Sequence, residues 1–126
     1  MIKKHILDDQ RIRRIDGGFS FIPHRFLTDG FVAALTAEQL LLYFFLVIAG
    51  DRNGLSFYSY DSICNLLKLS LDQYLQARDA LIENDLIAFD GTLFQVLELP
   101  QHSPSQEGRA NRKPVGRLIQ QAIKGV

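Results

Sequence analysis

The chain has 126 residues and a mass of 14.3 kDa, which is the size of one compact domain. Apolar residues at 47% and charged residues at 22% exclude a disordered or collagen-like chain. The single cysteine excludes an internal disulfide, and the longest apolar run, 40–49, is about half the length of a bilayer crossing. We therefore expect a soluble cytoplasmic protein without a membrane segment.

The net charge of zero hides an uneven distribution along the chain. Residues 1–25 contain six basic and three acidic side chains, residues 26–100 contain three and ten, and residues 101–126 contain five and one. An acidic body therefore lies between two basic ends. In the simplest interpretation the basic ends neutralise the acidic body. In a functional interpretation the basic ends attract a polyanion.

The N-terminal region, residues 1–35, is predicted to form a basic arm and a β-hairpin. Two short β-prone runs, at 11–15 and 19–22, flank the sequence Asp16-Gly17-Gly18. Asp and Gly at this position suit the tight turn that joins two antiparallel strands. The pattern therefore predicts a hairpin whose first strand carries a group of arginines.

A long apolar helix follows. Thr36 and Gln39 have the spacing of a capping box, and Gly50 suits a left-handed residue at the C-terminal end. The intervening residues are apolar on every face, which predicts a helix buried all round or sharing one face with a second subunit. Replacing Phe44 or Phe45 with alanine should then cost about 3–5 kcal/mol.

The core is predicted to continue to residue 99 with a strand, two helices and a hairpin. Ser70 and Gln73 have the spacing of a second capping box, after which Tyr74, Ala77 and Leu81 share one helix face. The expected fold class is α+β, mainly α with a small β component. The elements are a strand at 55–58, a helix at 60–67, a helix from Ser70 to about 84, and strands at 86–89 and 93–97.

Residues 100–126 are predicted to be a linker followed by a basic amphipathic helix. The linker, 100–114, is rich in Gln, Ser, Pro and Arg, and the apolar residues after it recur at helical spacing. Together with the apolar helix at 40–49, this stripe offers more apolar surface than one small domain covers, so we expect a homodimer. The stripe consists of Val115, Leu118, Ile119, Ala122 and Ile123.

The segment from Ser59 to Ile87 resembles the central part of winged-helix regulators of the GntR type. The shared frame is a short helix ending in Leu, a turn, a Ser, and a second helix with apolar residues four, seven and eleven positions after that Ser. Upstream, the segments 22–27 and 51–60 are similar to the winged-helix modules that begin phage and plasmid replication proteins. The resemblance implies a winged helix-turn-helix domain.

The function implied by this resemblance is that of a small DNA-binding protein, a transcriptional regulator or a replication accessory of a mobile element or phage. Glutamine pairs with adenine in the major groove, so Gln73 and Gln76 are candidate base contacts. Ser70, at the start of the same helix, is the third candidate. Basic side chains of the arms and of the turn are the candidate phosphate contacts, namely Arg11, Arg13, Arg14, Lys68, Arg109, Arg112, Lys113 and Arg117.

A second interpretation is an interaction module whose partner is a protein. The outward positions of the second helix carry Asp72, Asp79 and Glu83, which repel phosphate, and Arg78 is the only cation there. Four apolar residues would then form the contact surface. Two of them, Leu71 and Leu75, could equally widen the face of the second helix that packs on the core. The four residues are Leu71, Leu75, Leu118 and Ile119.

An enzyme is not expected. The sequence contains no phosphate-binding loop, nucleophile elbow or metalloprotease motif. His5, His24 and His102 lie in different segments, and Cys64 is isolated, so neither a metal site nor a cofactor is expected. Cys64 is expected to pack as a small apolar residue.

Overall fold

The computed structural model describes residues 2–102. Of the predicted linker and C-terminal helix, 100–126, residues 103–126 lie outside the described residues. The fold is α+β, as predicted: within 2–102 it contains five helices and one three-stranded antiparallel sheet. In chain order the elements are α1 (Arg25–Thr28), α2 (Phe31–Ala34), α3 (Ala37–Ala49), β1 (Leu55–Ser56), α4 (Tyr60–Leu67), α5 (Leu71–Glu83), β2 (Ile87–Phe89) and β3 (Phe94–Val96).

The predicted N-terminal hairpin is wrong. Residues 2–22 contain no strand, and the apolar side chains Ile12, Ile15, Phe19 and Phe21 are exposed. An isolated two-stranded hairpin is marginal in water unless a further strand or a helix covers its apolar face. No described element covers the apolar side chains of this segment, so residues 2–22 form an irregular arm.

Helix α3 begins where the capping box predicts. The amide of Thr36 donates to the Gln39 side-chain oxygen at 3.0 Å, and the amide of Gln39 donates to the Thr36 hydroxyl at 3.3 Å. The helix ends at Ala49, as expected, but Gly50 is extended, with φ −75°, rather than left-handed. The left-handed turn is made four residues later by Gly54, with φ +81°.

Helix α3 is not buried on every face within this chain, so the first of the two predicted arrangements is wrong, and the second, a face shared with another subunit, stays a prediction. Leu42, Tyr43, Leu46 and Val47 are buried, because α5 and the sheet pack against one side of the helix and α1 packs against another. A further side is exposed, and no described element covers it. It carries Leu41, 41% exposed, Phe44, 39% exposed, and Ile48, 74% exposed.

The two helices after β1 confirm the predicted caps. Ser59 caps α4 by accepting from the amide of Ser62, and Ser70 and Gln73 form the capping box of α5. Tyr74, Ala77 and Leu81 are buried on one side of α5, as predicted. This side packs against α3, so the α3–α5 contact is the centre of the core.

The predicted C-terminal hairpin is also confirmed. Strands β2 and β3 pair antiparallel, with Phe89 opposite Phe94 and their rings stacked at 4.3 Å. Strand β3 is central in the sheet order β1-β3-β2, because β1 pairs with its other edge. Within the described range no helix is long and apolar enough to cross a membrane.

Gly54 should not tolerate a side chain. A Cβ at this position would lie 2.6 Å from the carbonyl oxygen of Val96, whose amide also donates to the Gly54 carbonyl at 2.9 Å. Gly54→Ala is therefore expected to cost more than about 2 kcal/mol, measured by urea unfolding, since it combines positive-φ strain with a backbone clash.

Gly91 provides the matched control for Gly54. It also has positive φ, +99°, but nothing lies within 4 Å of its Cβ position. Gly91→Ala is therefore expected to cost only the backbone strain, about 1–2 kcal/mol. Equal losses in the two variants would show that the approach of β3 to Gly54 does not constrain this turn.

Candidate nucleic-acid interface

Helices α4 and α5 are joined by a turn of three residues, Lys68, Leu69 and Ser70. Lys68 takes the left-handed conformation, with φ 58°, and the amide of Leu69 donates to the carbonyl of Cys64 at 3.0 Å. This bond ends α4, and the Ser70 cap starts α5 immediately afterwards. The turn is therefore held by hydrogen bonds at both helix ends.

Helix α5 has one buried and one exposed side. The exposed side carries Asp72, Gln73, Gln76, Asp79 and Glu83, so all the outward polar positions predicted from the sequence are accessible. Three of these five side chains are carboxylates, which gives the surface an acidic character. It can offer hydrogen bonds to a partner, but it repels phosphate.

Two of the candidate base contacts are already engaged within the protein. The side-chain oxygen of Gln73 accepts from the amide of Ser70 at 2.8 Å, and the Ser70 hydroxyl accepts from the amide of Gln73 at 3.1 Å. Bidentate pairing with adenine needs both the oxygen and the nitrogen of the glutamine amide. Gln73 would have to give up its cap to read a base, whereas Gln76 has no competing bond within the described chain.

The two glutamines should therefore respond differently to truncation. Gln73→Ala removes one half of the capping box and is expected to lower the free energy of unfolding by about 0.5–2 kcal/mol. Gln76→Ala removes an exposed side chain that makes no hydrogen bond to another residue of the range 2–102, and it should stay within about 0.5 kcal/mol. Urea unfolding of both variants tests this, and equal effects would show that the Gln73 cap contributes nothing.

Arg78, the only cation of α5, is held against the protein. Its guanidinium lies 5.2 Å from the ring centre of Phe89 and 5.9 Å from that of Tyr74, and it pairs with Asp79 at 3.0 Å. These contacts join α5 to β2 through cation–π packing. Arg78 therefore has a structural role, which its position in the sequence did not indicate.

The tip of the β2–β3 hairpin carries a negative charge. The Asp90 carboxylate accepts from the amides of Thr92 and Leu93 at 2.8 and 2.7 Å, and these bonds lower the pKa of Asp90. Because hydrogen bonds to the ionised form stabilise it, Asp90 stays charged at neutral pH. A phosphate near this tip would be repelled.

The candidate interaction residues of α5 differ in exposure. Leu71 is half exposed at the first turn, while Leu75 is partly buried and packs against the core. Leu75 thus behaves as an extension of the core face, and Leu71 remains available at the surface. Lys68, at the turn beside it, is exposed and is the nearest cation in sequence to the start of α5.

The N-terminal arm presents five accessible cations. Lys3, Lys4, Arg11, Arg13 and Arg14 are exposed, and none of them forms an ion pair with another described residue. A basic segment of this kind can follow a phosphate backbone without first breaking internal contacts. It is the largest group of free positive charge between residues 2 and 102.

Arg25, the last cation of the N-terminal region, is different. It pairs with Asp29 at 2.9 Å and donates to the carbonyl of Pro100 at 2.6 Å. It therefore ties α1 to the end of the described chain instead of facing solvent as a free charge. The remaining predicted contact residues, Arg109, Arg112, Lys113, Arg117, Leu118 and Ile119, lie outside the described residues.

A groove of about 850 Å³ lies where the arm meets the C-terminal end of α3. Phe19 and Phe21 of the arm line it together with Tyr43, Ile48 and Leu99. Burial raises the pKa of Tyr43 to about 12, so its phenol stays neutral. The sequence contained no local signal for this groove, because its walls come from three separate segments.

The described range contains one cysteine together with histidine, aspartate and glutamate, the side chains that bind metal ions. No group of His, Cys, Asp and Glu residues within it could hold a metal ion. Cys64 is a free thiol that is partly buried against the core, with its sulfur 3.9 Å from the Ser70 carbonyl. Its placement agrees with the predicted role as a small packing residue.

Comparisons with protein-family models, curated proteins and solved structures find no significant match to this chain. The features of the chain that bear on function are therefore the geometry of α4, α5 and the hairpin, and the distribution of charge around them.

Proposed function

We propose that this chain is a small DNA-binding protein with a winged helix-turn-helix fold. The observation that carries the proposal is the succession of α4, a three-residue turn, α5 with one exposed polar side, and a β-hairpin. In helix-turn-helix proteins the second helix of such a pair lies in the major groove and the first crosses the DNA backbone. In the proposed complex α5 lies in the major groove and the β2–β3 hairpin acts as the wing.

Sequence reading by α5 would be limited to few positions. Gln76 is the free reader, and Gln73 and Ser70 contribute only if the capping box opens. Each base pair read by a bidentate contact gives about 1–3 kcal/mol of discrimination. The proposed protein is therefore a weakly discriminating binder whose affinity has to come from elsewhere.

The basic arm is the proposed source of that affinity. The charges on α5 and on the hairpin tip are mostly negative. They repel phosphates within about a Debye length, roughly 8 Å at physiological salt. The arm cations are exposed and free of ion pairs with other described residues, so they can neutralise phosphates directly. Basic arms of other DNA-binding domains reach the minor groove in this way.

The biological role we propose is transcriptional regulation or replication accessory function in a mobile element or phage. It rests on the resemblance of 59–87 to GntR-type regulators and of 22–27 and 51–60 to replication modules. Neither role needs a catalytic residue or a cofactor. Both need a small domain that attaches to duplex DNA, and that property can be tested without knowledge of the natural site.

The test of DNA binding is a salt titration with a fluorescently labelled duplex of mixed sequence. We expect binding at about 50 mM salt and a steep loss of affinity by about 200 mM, because counterion release dominates binding through phosphates. The measurement is fluorescence anisotropy of the full chain. Absence of binding at the lowest salt would reject the proposal.

The second candidate function is that of a protein-interaction module built on the same frame. The observation that favours it is the acidic exposed side of α5, where Asp72, Asp79 and Glu83 lie on the same helix as the half-exposed Leu71. A face of this composition fits a basic partner protein better than it fits DNA. The same salt titration separates the two, since this candidate predicts no DNA binding at any salt concentration.

A further inference from the structure

The groove between the arm and α3 is bordered by one buried polar group without a partner. Tyr43 is 2% exposed, and its ring stacks on that of Phe26 at 4.8 Å. Its hydroxyl forms no hydrogen bond within the range 2–102. A buried tyrosine hydroxyl usually has a hydrogen-bond partner, because leaving the group unpaired costs free energy. The described chain does not supply that partner.

The Tyr43 hydroxyl opens into the groove. Between residues 2 and 102, Ser56 is the one interior residue whose side-chain oxygen is both fully enclosed and unpaired. The oxygen of Tyr43 is unpaired as well, so it is not enclosed and reaches open space. Because Tyr43 lines the groove, that space is the groove, and a molecule inside it can bond to the hydroxyl.

The walls of the groove are mainly apolar and aromatic. They include Phe19 and Phe21 from the arm, Val47 and Ile48 from α3, and Leu99 from the segment after β3. Both phenylalanines and Ile48 are mostly exposed, so the described chain leaves their apolar surface open. A ligand that covers these side chains gains hydrophobic and ring–ring contacts. The volume of about 850 Å³ is that of a small-molecule site.

The charged side chains of the groove lie at its rim. Among the described residues that line it, the charged ones are Asp51, Arg52 and Glu98, and all three are exposed. The Asp51 carboxylate is engaged in its own turn, where it accepts from the amides of Asn53 and Leu55 at 2.8 and 3.0 Å. The interior therefore offers no buried counterion to a charged ligand. Because burying an unpaired ion is costly, the groove fits an uncharged ligand.

We propose that the groove binds an uncharged aromatic compound that carries a hydrogen-bond acceptor such as a carbonyl oxygen. The Tyr43 hydroxyl donates to this acceptor, and Phe19 and Phe21 cover the ring system. The site shares no residue with the surfaces proposed to touch DNA. It therefore adds a binding function to the chain and does not rest on the proposed one.

Titration of the full chain with a methyl naphthyl ketone tests the site. This probe is uncharged and has one carbonyl oxygen, and we expect a Kd of about 0.1–1 mM, which is usual for a compound of this size. The matched probe is naphthoate, which carries an ionised carboxylate in place of the ketone. It should bind at least about tenfold more weakly.

Two results of this titration would overturn the proposal. One is the absence of ketone binding up to about 1 mM, the weak limit of the expected range. It would also result if the chain's own apolar stripe, 115–123, filled the groove. The other is equal affinity for the ketone and the naphthoate, which would mean that the site does not select an uncharged ligand.

NMR spectra of the labelled full chain measure the affinity and locate the probe. The amides of Gly50, Gly54 and Leu99, which border the groove, should shift during the titration. The amide of Gln76, on the exposed side of α5, should stay in place. Shifts confined to α5 would overturn the proposal, because the ketone would then bind elsewhere.

Tyr43→Phe tests the hydrogen bond. The variant keeps the ring that stacks on Phe26 and removes a hydroxyl without a partner in the range 2–102, so the fold is retained. The affinity for the ketone should fall about two- to tenfold, the effect of one hydrogen bond. Tyr60→Phe, at an exposed tyrosine away from the groove, should leave it unchanged. Equal affinities in the two variants would overturn the role of Tyr43.

Ile48→Glu tests the apolar wall. Ile48 is mostly exposed, so the variant should fold, but a carboxylate at the wall should weaken ketone binding by about fivefold or more. Leu66→Glu, at an exposed leucine of α4 outside the groove, is the matched control and should bind like the parent. Unchanged binding in Ile48→Glu would contradict the site. Because no readout includes DNA, failure here leaves the DNA-binding proposal standing, and the reverse also holds.

Discussion

Leu46→Ala is expected to lower the free energy of unfolding by about 3–5 kcal/mol. Leu46 has no exposed surface and lies on the side of α3 that packs against α5 and the sheet. Truncation removes buried methyl groups and leaves a cavity that the surrounding side chains fill only partly. Since small domains are stable by only about 5–15 kcal/mol, this variant should be near the limit of folding.

The matched control is Ile48→Ala, two residues further along the same helix. Its side chain is 74% exposed, so its removal should change the free energy of unfolding by less than about 1 kcal/mol when measured by urea unfolding at low protein concentration. A decrease of less than about 1 kcal/mol for Leu46→Ala, or equal decreases in both variants, would mean that α3 is not the centre of the core.

The cost predicted from the sequence for Phe44 has to be revised for the same reason. Phe44 is 39% exposed and Phe45 is only partly buried, with its ring 5.1 Å from that of Tyr58. Neither side chain would leave a closed cavity when truncated. The largest penalties therefore move to their neighbours on the buried side of the helix.

Replacing Arg11, Arg13 and Arg14 together with glutamine is expected to have the largest effect on DNA binding. The three side chains are exposed and form no ion pair within the described chain, so the change leaves the fold intact and removes only positive charge. The slope of log K against log salt should fall by about 0.9 for each phosphate that the arm no longer neutralises, up to about 2.7 for three. Binding should weaken on every duplex sequence alike.

Lysine substitutions at the same three positions provide the control. They keep the charge but lack the bidentate geometry of arginine, so the salt slope should stay close to that of the parent chain. Both variants are measured by anisotropy over the same range of salt. An unchanged slope in the glutamine variant would mean that the arm does not contact phosphates.

The helices of the core were predictable because their signals are local. Each of the three longer helices begins at a hydroxyl residue that accepts from the amide three positions on, and two of them complete the box with a glutamine. The β2–β3 hairpin was predictable for a similar reason, since Asp90 and Gly91 make the turn whatever surrounds it. These features need only neighbouring residues.

The predictions for the N-terminal hairpin and for the burial of α3 were wrong because both structures depend on residues far away in the sequence. The run around Asp16 has the turn chemistry of a hairpin, but nothing in the described fold packs on its apolar side chains, so the strands do not form. Similarly, the composition of α3 could not indicate that one of its sides is left uncovered. Which side is buried depends on where α1, α5 and the sheet dock.

In the candidate site, too, some features were predictable from the sequence and others depended on the tertiary structure. The exposed polar side of α5 followed from helical periodicity, and the free cations of the arm followed from their position in a polar segment. That Arg78 is stacked on Phe89 and Tyr74 could not be foreseen, because Phe89 reaches α5 only through the sheet. The engagement of Gln73 in its own cap was visible in the sequence, but its conflict with base reading depends on the side of α5 that is exposed.

The amino-acid sequence by itself determined the α+β class, the helix starts and the acidic body between basic ends, because these depend on caps, periodicity and composition over short stretches. Only the tertiary structure decided that the arm forms no hairpin, that Leu41, Phe44 and Ile48 are exposed, and that the arm and α3 enclose a groove. The physical reason is that a side chain is buried only when a second surface packs against it, and that surface is often formed by residues far away in the sequence.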